Sequence, residues 1–530
     1  MKKIILILLV LSLSLIMGFN LAALAAPVTL QWNLGTEPPT LDPALATDLT
    51  SIDVIEQLFL GLTDYDDETM EVVPELATSW EVSPDGLVWA FHLRKDVKWT
   101  DGKPVTAHDI EYAVKRTLDP ATSSDYAYVL YIIKGAKEVN TGEITDLNYI
   151  GVKAIDDYTI QFALNHPAGY FPCIAGMWVT RPVPRWTIEK YGDKWTEPEN
   201  IVTNGPYLLT KWAHEDEMIL EKNPDYFDAD NVQIEKVHCV MIVEASTAMA
   251  MYEDGKLDTV GVPLDDMDRV KADPVLSKEL VTGPNLCTYY YGFNNTKPPF
   301  DNPLVRKAFS AAIDRKSLAE YVLKGGQIPA TTFTCPGIFG HVPPEEGVGI
   351  GYDPDAAKKY LTDAGYPEGK GLPEITLMFN TSESHRKIAQ AIQQMWKEVL
   401  GVEVNLANQE WKVFLKTCIE DAPQVHRASW CADYPDANNW VYEVFHSTDG
   451  LNRIKWHNAE FDRVVEEAAR ESDPAKRLEL YKRTEQILCE EEAAIAPIYF
   501  YTRVALVKPY LKRTFAPMGG EHIRDWRIIK

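Results

Sequence analysis

Hydrophobic and polar positions along this chain switch repeatedly between two periods. Val28 to Leu34 and Trp89 to Leu93 alternate residue by residue, as half-buried strands do. Ile150 to Ile155 and Tyr158 to Leu164 alternate on either side of Asp156-Asp157, which predicts a hairpin. Val237 to Val243 is an apolar, β-rich run. Between these lie helical signals. Thr106 with an acid three residues on, Asp109, predicts a capped helix to about Leu118, stopped by Asp119-Pro120. Asp301-Asn302-Pro303 predicts another to about Ala312, and Lys358 to Ala364 a short one ended by Gly365. Ile375–Phe379, Glu383–Leu400 (closed by Gly401) and Val402–Leu406 read as strand, helix and strand, hence a parallel unit with a right-handed crossover. Asp473-Pro474 opens a helix to about Glu491, and Ile495 to Leu506 returns as a strand. Strands and helices interleave throughout, so the fold class is α/β.

The longest apolar run breaks this pattern. Ile4 to Met17 is interrupted only by Ser12 and Ser14, follows Lys2-Lys3, and precedes Ala23-Leu24-Ala25. That order of basic, apolar and small residues predicts a secretory signal peptide over residues 1–25, cleaved near Ala25 or Ala26. The first cysteine is Cys173, so the cleavage site offers no thiol for a lipid anchor. The expectation is a free periplasmic protein.

Composition narrows the partners. The 530 residues are 46% apolar and 25% charged, enough for a large core and more than one domain. Lys and Arg number 52 against 78 Asp and Glu, a net charge of −26. So acidic a chain argues against nucleic acid or an anionic membrane as partner. None of the seven cysteines stands in a CxxC pair, which argues against a zinc ribbon or a redox motif. Export permits disulfides, but their pairing is open at this point. His214-Glu215-Asp216-Glu217 lacks HExxH spacing and reads as a solvated charged patch. No HExxH and no GxSxG occurs, so a secreted peptidase finds no support.

One stretch concentrates chemistry. Arg427-Ala-Ser-Trp430-Cys431-Ala-Asp433-Tyr434-Pro-Asp436 holds a cation, two carboxylates, an indole, a phenol and a thiol. A carboxylate beside an aromatic suits the holding of a cation, since the ring excludes water from the pair. The same residues also describe a loop around a buried, salt-bridged Asp.

Residues 77–109 (ATSWEVSPDGLVWAFHLRKDVKWTDGKPVTAHD), 200–207 (NIVTNGPY), 287–303 (CTYYYGFNNTKPPFDNP), 376–388 (TLMFNTSESHRKI) and 408–415 (NQEWKVFL) stand in one order along the mature chain. Together with the stretch around Asp433, they resemble periplasmic oligopeptide-binding proteins of ABC importers, in the peptide/nickel solute-binding family 5. The resemblance implies a two-lobed periplasmic binding protein (type II, cluster C) with an extra small α/β domain, three domains in all. Lobe I is then 27–60, 185–286 and 501–530; the extra domain is 61–184; lobe II is 287–500. Strands crossing near 286 and 501 would form the hinge. It also implies a Cys287–Cys431 disulfide.

By the same resemblance, Asp433 meets a ligand's ammonium, and Arg427 and His385 its carboxylate end. Trp411, Trp430, Tyr126 and Tyr501 wall the pocket, and Thr47 to Leu49, after the TLDP segment at 40–43, offer backbone groups. The implied partners are short peptides and a permease complex in the inner membrane, bound by a monomer with no cofactor, no metal and no enzymatic activity. Two positions depart from the family pattern: Gly292 where relatives place an acid, and Leu323 where some place a Lys. The fold also admits other ligands: a dipeptide, a cell-wall peptide, a metal chelate or an oligosaccharide.

Overall fold

A computed structural model describes residues 27–529. The predicted signal peptide lies outside the described residues. Among them, no helix is long and apolar enough to cross a membrane.

Three main sheets organise the chain. In the first, Thr29–Asn33 runs parallel to Lys236–Val240, which pairs antiparallel with Glu217–Lys222, followed by Tyr207–Ala213. The second is antiparallel throughout, in the order Ala77–Val82, Val88–Leu93, Thr159–Ala163, Val152–Asp156. It contains the hairpin predicted about Asp156-Asp157. The third has seven strands. Its main order is Thr259–Gly261, Ile495–Val507, Leu280–Phe293, Val425–Cys431, Ile375–Asn380, Val404–Gln409, with Ile328–Pro329 beside Ile495–Val507.

Local signals account for most of these elements. The Thr106 amide donates to Asp109 Oδ2 at 2.8 Å and starts the helix Ala107–Leu118. Ser382 caps Glu383–Leu400, and Gly401 ends it with φ +70°, a left-handed conformation that an L side chain resists. The strands flanking this helix pair in parallel, as the crossover reading requires, though the second begins at Val404 rather than Val402. The helix expected from Lys358 begins earlier, at Pro354, capped by Asp353. Its first three residues, Pro354-Asp355-Ala356, are half-buried or exposed and full burial begins only at Ala357, so the apolar pattern starts late. The Asp-Pro pair was the available signal; it also opens Pro474–Gln486.

The third sheet carries the site. Its central strand contains Tyr289-Tyr290-Tyr291, all buried. Tyr289 and Tyr291 join one core with Phe309 and Trp396, while Tyr290 points to the other face, against Phe333 and Phe445. Side chains alternate across a strand, so three successive tyrosines bolt both faces of the sheet to their layers. Leu280–Pro284 pairs with Thr502–Leu506 and Thr288–Gly292 with Ile495–Phe500, with an irregularity between Pro284 and Thr288.

Cys287 and Cys431 face each other across the ladder and are disulfide-bonded, the pairing that the resemblance implied. The Ala432 amide then donates to the Leu286 carbonyl at 2.9 Å. The chain is thus pinned immediately before Asp433. The other five cysteines are buried and free. Non-reducing peptide mapping of exported protein is expected to find one linked pair, Cys287 with Cys431. The bond closes a separation of 144 residues, and Cys287→Ser with Cys431→Ser is expected to cost up to about 4–5 kcal/mol in denaturant titration.

Candidate ligand-binding cleft

A cavity of about 550 Å³ opens between the segment around Leu34–Ile52, Tyr126, and the third sheet with its loops. Thr47, Leu49, Tyr126, His385, Trp411, Arg427, Trp430 and Asp433 all line it. Tyr501 does not. It stands behind Arg427, whose Nη2 donates to its hydroxyl at 2.8 Å.

Asp433 forms one end. Asn439, wholly buried, holds it: the Asp433 amide donates to Asn439 Oδ1, and Asn439 Nδ2 donates to Asp433 Oδ2, both at 2.9 Å. Asn439 Oδ1 also accepts from Trp430 Nε1 at 3.2 Å, and Nδ2 also donates to Glu443 at 2.7 Å. Tyr126 Oη donates to Asp433 Oδ2 at 3.3 Å, and its ring lies parallel to Trp430, centroids 6.4 Å apart. Among the described residues no cation pairs with Asp433. The salt-bridged acid of this stretch is Asp436, held by both ends of the Arg477 guanidinium at 2.7 and 2.9 Å. Burial pushes the Asp433 carboxyl up to about 7, with Asn439 and Tyr126 opposing in part. Glu443, deeper still, is pushed up to about 8, again chiefly by burial.

Arg427 and His385 form the opposite end. Arg427 donates to Ser429 Oγ at 3.0 Å and to Asn380 Oδ1 at 3.4 Å, and its guanidinium lies 5.1 Å over Tyr289. Its Nε is buried with no acceptor, and no carboxylate among the described residues pairs with it. His385 stands in the first turn of Glu383–Leu400, its Nδ1 buried without a partner. Burial, and then Arg427, hold the imidazole well below its usual pKa. It is therefore neutral and able to donate or accept.

The two departures from the family pattern fall differently. Gly292 sits opposite His426 in the ladder, and a Cβ on it would meet the His426 ring at 2.7 Å. The imidazole fills the space that a side chain there would need. Leu323 is buried in the core with Leu318 and Phe309, away from the cavity wall. Neither departure therefore puts a residue in the cavity wall.

One contact crosses the cavity and others join distant segments outside it. Trp411 Nε1 donates to Asp48 Oδ1 at 3.4 Å, and Asp48 itself caps the helix Leu49–Leu58. Tyr170 stacks on Tyr434 at 5.4 Å, Lys137 meets Asp449 at 2.7 Å, and Ser246 donates twice to Glu383. Asn439 and Arg453 are supporting and cavity residues that sequence reasoning missed; Asp48 lies within the stretch expected at the cleft, but its side-chain role was not anticipated. Asp48 was accessible as an N-cap acid ahead of the apolar run Ile52–Leu58; Asn439 and Arg453 lie in stretches with no periodic signal.

Glu56, Asp64 and His522 also converge, with one ligand atom from each within 4.8 Å of the others. Arg181 bonds Glu56, and Arg524 bonds Asp64 and Glu75, so guanidinium groups already supply the positive charge there. Burial would raise Asp64, but His522 and Arg524 outweigh it and hold the carboxyl well below its usual range. The cluster is an ion network tying the chain's end to the strand Thr63–Tyr65.

Mixed α/β units meeting at a cleft, with one strongly curved sheet and paired crossing strands, define a multi-domain type II binding protein. The family model described as "Bacterial extracellular solute-binding proteins, family 5 Middle" matches residues 71–452. The chain belongs to that family, and its site of action is extracytoplasmic. It is 38% identical to the oligopeptide-binding protein OppA of Bacillus subtilis, over 93% of this chain and 91% of that one. It is 38% identical to the periplasmic oligopeptide-binding protein OppA of Escherichia coli, covering 96% and 94%. The fold superposes on the murein tripeptide-binding protein MppA of Escherichia coli with a TM-score of 0.89, at 35% identity, covering 96% and 99%. Against the unliganded open form of MppA, at the same identity and covering 96% and 98%, the TM-score is 0.66. Sequence divergence is equal in the two comparisons, so the difference is one of conformation: this chain departs from the open arrangement.

Closure with no ligand in place buries an uncompensated Asp433. Its carboxyl binds a proton more tightly closed, at about 7, than hydrated, near the ordinary 3.8. At Asp433 the closed form thus carries more protons between these values, so this group favours closure in acid, while His385, held well below its usual pKa by burial and Arg427, opposes it. Glu443 is shielded by Tyr434 and Asn439 of its own segment and stays covered when the walls part. Solution scattering of ligand-free His385→Gln, in which the opposing imidazole is gone, is expected to give a smaller radius of gyration at about pH 5.5 than at about pH 8, with Asp433→Asn added to it removing the dependence.

Proposed function

We propose that this protein captures short peptides between two closing lobes and delivers them to an ABC importer. The observation that carries this reading is a single cavity with an unpaired carboxylate, Asp433, at one end and an unpaired guanidinium, Arg427, at the other. A free peptide carries an ammonium and a carboxylate at its two ends. Each charged end is costly to bury alone, and each is offset by the opposite charge already fixed in the wall. An oligosaccharide needs neither partner, so this arrangement disfavours it. Names of the relatives support the peptide reading: OppA of Escherichia coli is a periplasmic oligopeptide-binding protein. The structure of Haemophilus influenzae OppA, 33% identical over 95% of this chain and 99% of that one with a TM-score of 0.88, is a complex with RPPGFSPFR.

In this reading lobe I is 27–60, 185–286 and 501–530, the extra domain 61–184, and lobe II 287–500. The strands Leu280–Phe293 and Ile495–Val507 carry the hinge, flexing where their register is interrupted near Pro284. Asp433 receives the ammonium, walled by Trp430 and Tyr126; Arg427 and the neutral His385 receive the carboxylate of a short peptide; Tyr501 orients Arg427. Trp411 closes over the ligand by its bond to Asp48, beside Thr47 and Leu49. The protein acts as a free monomer in the periplasm, without cofactor, metal or catalysis.

Asp433→Asn keeps the shape of the site and removes its charge. It is expected to weaken tripeptide binding by about 2–4 kcal/mol, the range for losing one partner of a buried charge pair. N-acetylating the peptide should cost the native protein a similar amount and the mutant much less. Calorimetry on the four combinations closes the cycle. Equal binding of free and acetylated peptide by the native protein would remove the main support for this function. At the other end, amidating the C-terminus should weaken tripeptides more than longer peptides, and Arg427→Ala should erase that difference.

A further inference from the structure

Beside the main cavity lies a smaller pocket of about 50 Å³, sharing with it Trp411, Trp430, Arg427 and Arg453. The shared residues make it a side chamber of the cleft. Its remaining walls are largely apolar, with Tyr290, Phe414, Phe445 and Ile454 among them, and no acidic residue lines it.

Arg453 is the unexplained group. Its Nε and Nη2 are buried with no acceptor, and no carboxylate among the described residues forms an ion pair with it. Arg453 is half-buried as a whole, but these two donors have left water without an acceptor, which is costly. The other titratable groups facing the chamber cannot supply one. Burial, and then Arg453, push His426 down to about 4, so its ring is neutral. Burial pushes Cys418 up to about 11 and Tyr290 up to about 12, so both stay protonated. Across the ladder from His426 stands Gly292, which has no side chain to offer, and the imidazole occupies its space. Among the described residues, therefore, no anion meets these two donors.

We propose that this chamber is a specificity pocket for an acidic side chain of the bound peptide, with Arg453 as its anchor. The inference rests on the peptide reading above and goes beyond it by assigning a side-chain preference. A carboxylate fits a guanidinium through two parallel hydrogen bonds, which would satisfy both orphaned donors at once. The chamber holds a volume on the order of two water molecules, the scale of a carboxylate head. Its apolar walls suit the methylene stem of Asp or Glu. An amide of the same shape would leave the guanidinium charge uncompensated, so Gln and Asn are the discriminating competitors.

The test is a scan of Ala-Ala-Ala in which each position in turn carries Asp, Glu, Asn or Gln, with affinities from calorimetry. At one position the acid is expected to bind roughly ten- to a hundredfold more tightly than its amide. Arg453→Gln should abolish that preference, with any loss for Ala-Ala-Ala well below the loss for the acidic peptide. Arg453→Lys, which keeps the charge, should retain part of it and controls for misfolding. Acid and amide binding equally at every position, while Ala-Ala-Ala binds, would overturn the specificity pocket and leave the peptide reading intact. An equal loss for all peptides in Arg453→Gln would also overturn it, by assigning Arg453 to the peptide backbone. If no tripeptide binds the native protein, the peptide reading itself fails.

Discussion

The constraint on which the rest of this structure depends is the burial of a carboxylate with no cation beside it. Asp433 is fixed from behind by Asn439, which bonds its amide and its carboxylate, and screened from water by Tyr126 and Trp430. Neutral donors of this kind orient a charge without cancelling it. The carboxyl is consequently pushed from 3.8 to about 7, a penalty on the order of 4 kcal/mol for keeping it ionised in the closed site. A ligand ammonium removes that penalty. The site thus binds by relieving a strain that closure itself creates.

Holding the charge in place requires a rigid base. The strand Val425–Cys431 lies at the heart of the seven-stranded sheet, beside the triple tyrosine, and ends in the disulfide two residues before Asp433. Arg427 leaves the same strand at its other end, so one short element sets the separation of both charged groups. The bidentate Arg477–Asp436 pair fixes the chain again three residues after Asp433. With both sides tied, little conformational freedom remains to be lost when a ligand arrives.

Much of this was legible in the sequence, and for identifiable reasons. The parallel unit over 375–409 carries all its signals locally: alternation, a Ser cap, an amphipathic helix and a terminal glycine. Resemblance brought together eight residues that line one cavity although they span Thr47 to Asp433. What stayed hidden depends on contacts between distant segments. Asn439 is an ordinary polar residue until its four bonds are seen. Arg453 resembles any surface arginine, because the absence of a partner is a property of the fold. The helix start at Pro354 was missed through reliance on apolar periodicity where the first three residues are half-buried or exposed.

The unsatisfied groups form a pattern. Asp433 lacks a cation; Arg427 Nε, His385 Nδ1 and two nitrogens of Arg453 lack acceptors, and all four residues border one connected space. In a core, each such group is destabilising and is ordinarily paired. Gathered around a cleft, they make the empty closed state unfavourable while leaving the open, hydrated state unaffected. Contacts such as Trp411 with Asp48 and Tyr170 with Tyr434 pull in the opposite direction, toward closure. The balance between these two sets decides when the lobes meet. A ligand tips it only if it brings a positive charge to Asp433 and a negative charge to Arg427, so selectivity for charged ends is built into the cost of closing.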